Sequence, residues 1–365
     1  MAVVSPGSGS EAQRLRRVSP LRLLLTRPEF GSIVGAILIF FVFWYLTKFS
    51  VGVGFMSWKG FASYIEVAAQ VGILGATVSL LMIAGEFDLS VGSMIGAAGL
   101  ILGLSVTQYG LPLWLGVVLT FAFALGIGAL NGFIVVRTGL PSFIVTLGSL
   151  YMLRGAGLAM TRLLTNGQTI VSGVGQAAAG DPIAGLFNAT LFTIGGSGPN
   201  NAGGGDFKVE LLWWLVVVAG ATWVLLRTRF GNWIFAVGGS KDAARSMGVP
   251  VTRVKIMLFM ATAACAALFA CIQVLSVGTA DVLRGDQKEF EAIITAVIGG
   301  TLLTGGYGSA LGSAFGAFIL GVTQLGIYFV PGFNSDWYRF VLGALLLIAA
   351  LVNNFILRRA SGARS

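Results

Sequence analysis

The sequence contains no histidine, so the usual general base near neutral pH is missing and nucleophilic triads of the Ser-His-Asp type are excluded. Cysteine is nearly as scarce. Cys265 and Cys271 are the two present, and they lie in one apolar run on different helix faces, which argues against a disulfide framework or a thiolate metal site. Charge is the third shortage: 10% of the 365 residues are charged, against about 25% in an ordinary soluble domain, too few to cover a water-facing surface. A phosphate loop of the form Gly-x-x-x-x-Gly-Lys-Ser/Thr is absent as well, so ATP hydrolysis by that route is excluded.

What is present is apolar. Hydrophobic residues make up 56% of the chain and glycine numbers 53, roughly twice its usual share of about 7%. Small residues let membrane helices approach closely and break where they line a cavity. The composition therefore predicts an all-α fold, a polytopic membrane helix bundle whose solvent is lipid. The net charge of +9, from 23 Lys and Arg against 14 Asp and Glu, does not call for a nucleic-acid partner. The basic residues fall between apolar spans with little aromatic interleaving, as cytoplasmic loops do.

With a span set at about 20 apolar residues, roughly ten segments qualify: 31–49, 65–84, 89–108, 111–136, 141–161, 210–226, 256–277, 292–303, 309–330 and 337–356. The eighth is too short to cross alone. With Thr304-Gly305-Gly306-Tyr307-Gly308 behind it, it reads as a broken or re-entrant helix, tolerated only where irregular backbone is buried in protein or lines water. Lys and Arg set the orientation. Arg14, Arg16, Arg17, Arg22 and Arg27 precede the first span, and Arg137, then Arg227, Arg229, Lys241, Arg245, Arg253 and Lys255, then Arg358, Arg359 and Arg364 fall on the same side. Both termini are thus expected in the cytoplasm. No small-residue cleavage site follows Phe49, so 31–49 reads as a spanning helix and not a signal peptide. The expected organisation is a cytoplasmic tail over 1–30, a transmembrane domain over 31–357 and a cytoplasmic tail over 358–365. Within the domain lie an external loop at 162–209, flexible by its Gly/Asn-rich composition, and an internal loop at 227–253.

Two strings carry chemistry. Gly85-Glu86-Phe87-Asp88-Leu89-Ser90-Val91-Gly92-Ser93 puts two carboxylates between apolar segments, and acids at membrane depth are costly and default to a functional role. The plainer role for Asp88 is to cap the following helix. Gly238-Gly239-Ser240-Lys241-Asp242-Ala243-Ala244-Arg245-Ser246-Met247-Gly248-Val249-Pro250 predicts a short internal helix: Ser240 caps it, Asp242 suits its positive end and Gly248 stops it. Such a helix fits a partner's groove; a solvated connecting loop is the bland alternative. Gly92-Ser93-Met94-Ile95-Gly96 also matches Gly308-Ser309-Ala310-Leu311-Gly312 weakly, each after a glycine-containing break, as paired interrupted segments of a transport site would.

These strings, with Thr165-Asn166-Gly167, Ala236-Val237-Gly238-Gly239-Ser240, Ile298-Gly299-Gly300-Thr301 and Gly305-Gly306-Tyr307-Gly308-Ser309, resemble in order the ribose/xylose-type permeases of bacterial ATP-driven sugar importers, in the branched-chain amino acid/ribose permease superfamily. The likeness runs over 71–353. It implies a multi-pass subunit of the inner membrane, no enzyme itself, paired with a second copy. Such a subunit receives a pentose or hexose from a periplasmic sugar-binding protein and is driven by separate cytoplasmic ATP-binding subunits. ATP and Mg²⁺ would belong to those subunits, and this chain would bind no cofactor. The resemblance also implies an ATPase-coupling contact at Gly239, Ser240, Asp242, Ala243, Ala244, Arg245 and Gly248. Where the family commonly has Gly-Gly-Ile-Asp, this chain has Gly85-Glu86-Phe87-Asp88, an added acid and ring near the implied pathway.

Candidates for the pathway or gate are Glu66 and Gln70, one helical turn apart, with Asp88, Ser90, Ser93, Asn131, Thr146, Gly305 and Gly306; Arg154 also lies within a span. Uncharged hydrogen-bonding groups suit a sugar that must bind weakly and leave. The plainer role of each is interhelical glue, worth about 0.6 kcal/mol on average. Two rivals remain: a branched-chain amino acid ABC permease, whose members generally lack Asp-Leu-Ser-Val-Gly-Ser, and an ion-coupled secondary transporter using Glu66, Glu86 and Asp88. A membrane-embedded enzyme would need a clustered catalytic set that the sequence does not offer.

Overall fold

The computed structural model describes residues 28–48, 54–196 and 204–360. Backbone polar groups in lipid must be satisfied within their own segment, so each long apolar run becomes a helix. The first five are α1 (Pro28–Leu46), α2 (Trp58–Ile83), α3 (Val91–Thr107), α4 (Leu113–Thr138) and α5 (Ser142–Leu164). Ser57 opens α2 by accepting from the Gly60 amide at 3.0 Å, and Gly139 closes α4 in the left-handed conformation that glycine adopts without strain.

A folded excursion follows: β1 (Ile170–Val171), the helical turns α6 (Val174–Ala177) and α7 (Gly185–Asn188), and β2 (Thr190–Ile194) with β3 (Gly205–Lys208). The stretch expected to be flexible is thus ordered over much of its length. β2 and β3 form an antiparallel hairpin, and Phe192 stacks on Phe207 with ring centroids 4.8 Å apart. The Gly/Asn-rich part of that stretch, 197–203, lies outside the described residues, as do the N-terminal arginines and Arg364.

The second half comprises α8 (Glu210–Arg227), α9 (Arg229–Gly239), α10 (Lys241–Ser246), α11 (Val251–Val277), β4 (Ala280–Asp281), a 3-10 turn (Val282–Gly285), α12 (Lys288–Ile298), α13 (Ala310–Phe329) and α14 (Asp336–Ala360). β4 pairs antiparallel with β1, Ile170 opposite Asp281. The internal loop expected between α8 and α11 holds two helices instead of one. α9 is the additional one: the sequence reads its residues as connecting chain, whereas Thr228 caps a helix there by accepting from the Gly231 amide at 3.1 Å.

Among the described residues, eight helices are long and apolar enough to cross a membrane, and α3 is a shorter apolar one. With α12, 11 residues long and so about 16 Å at 1.5 Å per residue, these account for all the expected segments. The fold is an all-α polytopic membrane bundle with a broken helix where 292–303 was expected to break. α2, α11 and α13 form its centre, 78%, 72% and 67% buried over their most apolar windows, whereas α5 and α14 are 22% and 0% buried. α11 packs on α4, α3 and α2, α13 on α2 and α1, and α8 on α2. The weak repeat does not survive as equivalent structure: Ser309 caps α13 through the Gly312 amide, while Ser93 lies inside the first turn of α3.

Candidate functional site

Four of the pathway candidates meet in one buried network. Asp88, Ser90, Asn131 and Thr146 are all buried around the turn that joins α2 to α3. Asp88 Oδ1 accepts from the Ser90 amide at 2.9 Å and from Ser90 Oγ at 2.5 Å, and Oδ2 accepts from Thr262 Oγ1 of α11 at 2.8 Å. The carboxylate therefore closes a local turn and ties it to α11; it does not cap the later amides of α3, and Ser90, at the cap position, makes no side-chain cap bond. Asn131 Nδ2 of α4 donates to Ser90 Oγ at 3.1 Å, and Ser149 Oγ of α5 donates to Asn131 Oδ1 at 2.5 Å. Thr146 Oγ1 accepts from the Leu89 amide and Ser142 Oγ from the Phe87 amide. Three neighbouring helices thus hold the turn.

This network makes the Asp88 carboxylate hard to replace. In Asp88→Asn one oxygen becomes an NH₂ group, and both oxygen positions face donors. A stability loss of about 1–3 kcal/mol is expected, read as a lower thermal unfolding midpoint of the detergent-solubilised protein; a midpoint equal to wild type would contradict it.

A second feature lies beside the network. Glu86 and Lys255 form a buried ion pair, joining the turn to the first part of α11. Lys255 and Thr262 stand two turns apart on α11, so this one helix grips the turn at Glu86 and at Asp88.

The third feature is a junction of three chain breaks. The Gly306 amide donates to the Ile83 carbonyl at 2.8 Å. A Cβ added to Gly238 would lie 1.7 Å from that carbonyl oxygen and 2.6 Å from the Gly306 nitrogen, and one added to Gly305 would lie 2.9 Å from the Gly85 Cα. The end of α2, the end of α9 and the loop after α12 therefore touch backbone to backbone, which glycine alone permits. Gly305 and Gly306, singled out from sequence, belong to this junction.

α10 leaves directly from it. Ser240 Oγ accepts from the Ala243 amide and Gly248, at φ +80°, ends the helix, as the sequence predicts. Ala244 is buried, whereas Lys241, Asp242, Ala243, Arg245 and Met247 are exposed, Met247 at 84%. α10 thus presents a charged surface with one apolar knob.

Glu66 and Gln70 lie elsewhere, near the β2–β3 hairpin. Glu66 accepts from Lys208 Nζ at 2.6 Å; Gln70 donates to Glu210 Oε2 at 3.0 Å and accepts from Gln273 Nε2 at 2.8 Å. Burial works against the Lys208 ammonium, but the hydrogen bond and charge of Glu66, aided by Glu210 and Asp206, outweigh it and raise its pKa above the usual lysine value. Ser93 is buried with no hydrogen-bond partner for its Oγ. Sequence reasoning missed Lys255, Thr262, Ser142 and Ser149. Lys255 alone left a signal, a cation at the edge of an apolar span and two residues past Arg253.

Over residues 61–350 the chain matches the family described as branched-chain amino acid transport system / permease component. It is 31% identical to the inner membrane ABC transporter permease protein YjfF of Escherichia coli over 84% of this chain and 87% of that protein. It is 33% identical to the fructose import permease protein FrcC of Rhizobium meliloti over 81% of this chain and 78% of the relative. Identity to the xylose transport system permease protein XylH of Escherichia coli is 30%, over 84% and 87%. No solved structure matches the chain.

Proposed function

Because the chain belongs to the family of branched-chain amino acid transport system permease components, we propose that it is the membrane-spanning subunit of an ATP-driven importer of a simple sugar, of the pentose or hexose class. It is a transport component and not an enzyme. Sugar is preferred over a branched-chain amino acid because relatives aligned along most of both chains are named for fructose and xylose import. An ion-coupled transporter is disfavoured because, of the three acids it would use, Glu66 and Glu86 are each committed to a lysine and Asp88 to Ser90 and Thr262.

The observation that carries the reading is that both flanks of α10 reach the turn before α3. On one side Gly238 packs on the Ile83 carbonyl and on Gly306; on the other Lys255, early in α11, pairs with Glu86. A displacement of α10 must then move the Asp88 network. In this reading α10 docks on a cytoplasmic ATP-binding subunit through Gly239, Ser240, Asp242, Ala243, Arg245 and Gly248, with Ala244 as its buried anchor. ATP and Mg²⁺ act on that subunit, and this chain binds no cofactor. The end carrying Arg137, α10 and the described termini is cytoplasmic in the inner membrane, and the β1–β4 end receives sugar from a periplasmic binding protein. A second copy and membrane lipid share the apolar outer faces of α5 and α14.

Ala244→Glu drives a charge into the buried side of α10. Co-purification of the ATP-binding subunits and ATP-dependent sugar uptake are both expected to fall at least about tenfold, the effect of roughly 1.4 kcal/mol. Unchanged assembly and transport would sink the coupling role. In wild type, uptake that stops when ion gradients are collapsed while ATP remains would instead favour the ion-coupled rival.

A further inference from the structure

The 280–289 strap brings charge to the middle of the bundle. It runs antiparallel to α3 along a face of small residues: a Cβ on Gly103 would lie 2.8 Å from Ala280 Cβ, one on Gly96 2.0 Å from the Val282 carbonyl oxygen, and one on Gly92 1.9 Å from Glu289 Oε2. The strap thus passes from the β1–β4 end to the first turn of α3. Its other neighbour is α5, whose Gly157 faces Val282. Arg154 stands midway along the 23 residues of α5, and its Nη2 pairs with Asp286 Oδ1 at 2.8 Å.

That pair is open. The Arg154 and Asp286 side chains are 26% and 47% exposed, at a depth where a spanning helix is surrounded by hydrocarbon. Charges within spanning segments face the bundle interior or a water-filled cavity, and non-helical backbone at that depth is tolerated only in protein or against water. Asp286 is too exposed to be enclosed by this chain alone, and hydrocarbon does not hold an open charge, so its open side requires a water-filled space, within the bundle or between this chain and the second copy proposed on α5. Two further features mark the strap as more than a connection. Gln287 holds a left-handed φ of +65°, a conformation that costs a non-glycine residue energy and gathers at ligand sites. Glu289 is 3% exposed, yet its Oε2 has no hydrogen-bond partner.

We propose that Arg154, Asp286 and Gln287, backed by the enclosed Glu289, form the sugar-contact site of the translocation pathway, which deepens the reading as a sugar permease and rests on it. A sugar carries adjacent hydroxyls that each donate and accept. Asp286 accepts from them and the Arg154 guanidinium donates to them, while Glu289, enclosed against Gly92, stands behind the pair and adds negative charge to Arg154's surroundings. Tyr151, 67% exposed and three residues before Arg154 on the same side of α5, supplies a ring for the apolar face of the sugar. A half-solvated ion pair exchanges water for hydroxyl with little net gain, which suits a site that must release its cargo.

The test uses the assembled transporter in membrane vesicles with its ATP-binding subunits and binding protein, and D-ribose, D-xylose and D-fructose as probes. The two native cysteines are buried, so Gln287→Cys gives the accessible thiol. A charged, membrane-impermeant thiosulfonate is expected to label position 287, and the transported sugar to slow labelling at least fivefold. Asp286→Asn is expected to change the relative uptake of the three sugars at least tenfold. A Gln287→Cys transporter that still moves a sugar while position 287 stays unlabelled, or is labelled without protection, overturns the site alone; unchanged sugar preference in Asp286→Asn does the same. A wild type that shows no ATP-dependent uptake of these or any other pentose or hexose fails the permease reading and takes the site with it.

Discussion

Replacing Lys255 with methionine is expected to destabilise the protein by about 3–5 kcal/mol, the cost of stranding one member of a buried ion pair. The Lys255 and Glu86 side chains are 7% and 10% exposed, so water does not stand in for the lost ammonium. Glu86, left as an unpaired buried carboxylate, pulls the turn toward solvent, and this disrupts the Asp88 contact that Thr262 makes from the same helix. The double change Lys255→Met with Glu86→Gln removes both charges, and neutral replacement of a buried pair is often close to neutral in stability. The thermal unfolding midpoint should therefore drop in the single variant and recover in the double. Uptake separates packing from transmission. If the pair relays the movement of α10, the double variant stays assembled and hydrolyses ATP, yet its sugar uptake per ATP hydrolysed falls. A single variant as stable as wild type would show that the pair is not buried in the working protein.

The parts of this arrangement that were legible in the sequence are those set by short-range rules. Spans follow from length and hydropathy, and α10 from a capping serine, two alanines and a glycine with positive φ, all within one string. What the string could not reveal is what a face packs against. Glu66 and Gln70 share a side of α2, but their partners Lys208, Glu210 and Gln273 come from the hairpin, α8 and α11. Lys255 was counted with the basic residues of an internal loop, because its counter-charge lies in a turn far earlier in the chain. α9 was hidden for another reason: Arg229, Gly231 and Asn232 interrupt its start and its last two residues are glycines, so its apolar run is only 233–237. The glycine excess was legible as a tendency to close packing, and only the fold distinguishes the glycines that touch backbone from those facing open space.

Gly238→Val tests that distinction where it has the largest consequence. A valine side chain there must displace the Ile83 carbonyl and the Gly306 amide, whose mutual hydrogen bond holds the end of α2 to the loop after α12. Overpacking costs about 1–3 kcal/mol, and separating a buried donor from its acceptor adds about 1–3 kcal/mol. A shift of roughly 3 kcal/mol in the junction corresponds to about a hundredfold change in an equilibrium, at 1.4 kcal/mol per tenfold. Uptake in vesicles is therefore expected to fall about a hundredfold. Gly220→Ala in α8 is the control, since a Cβ at Gly220 meets nothing within 4 Å and the residue belongs to neither the junction nor the docking surface. If backbone contact at the junction carries the movement, the two variants diverge: Gly220→Ala transports near the wild-type rate and Gly238→Val does not. Equal loss in both would mean that the loss does not arise from contact at the junction. Equal retention would mean that α9 and the loop after α12 can part without consequence, leaving the Glu86–Lys255 side as the remaining route from α10 to Asp88.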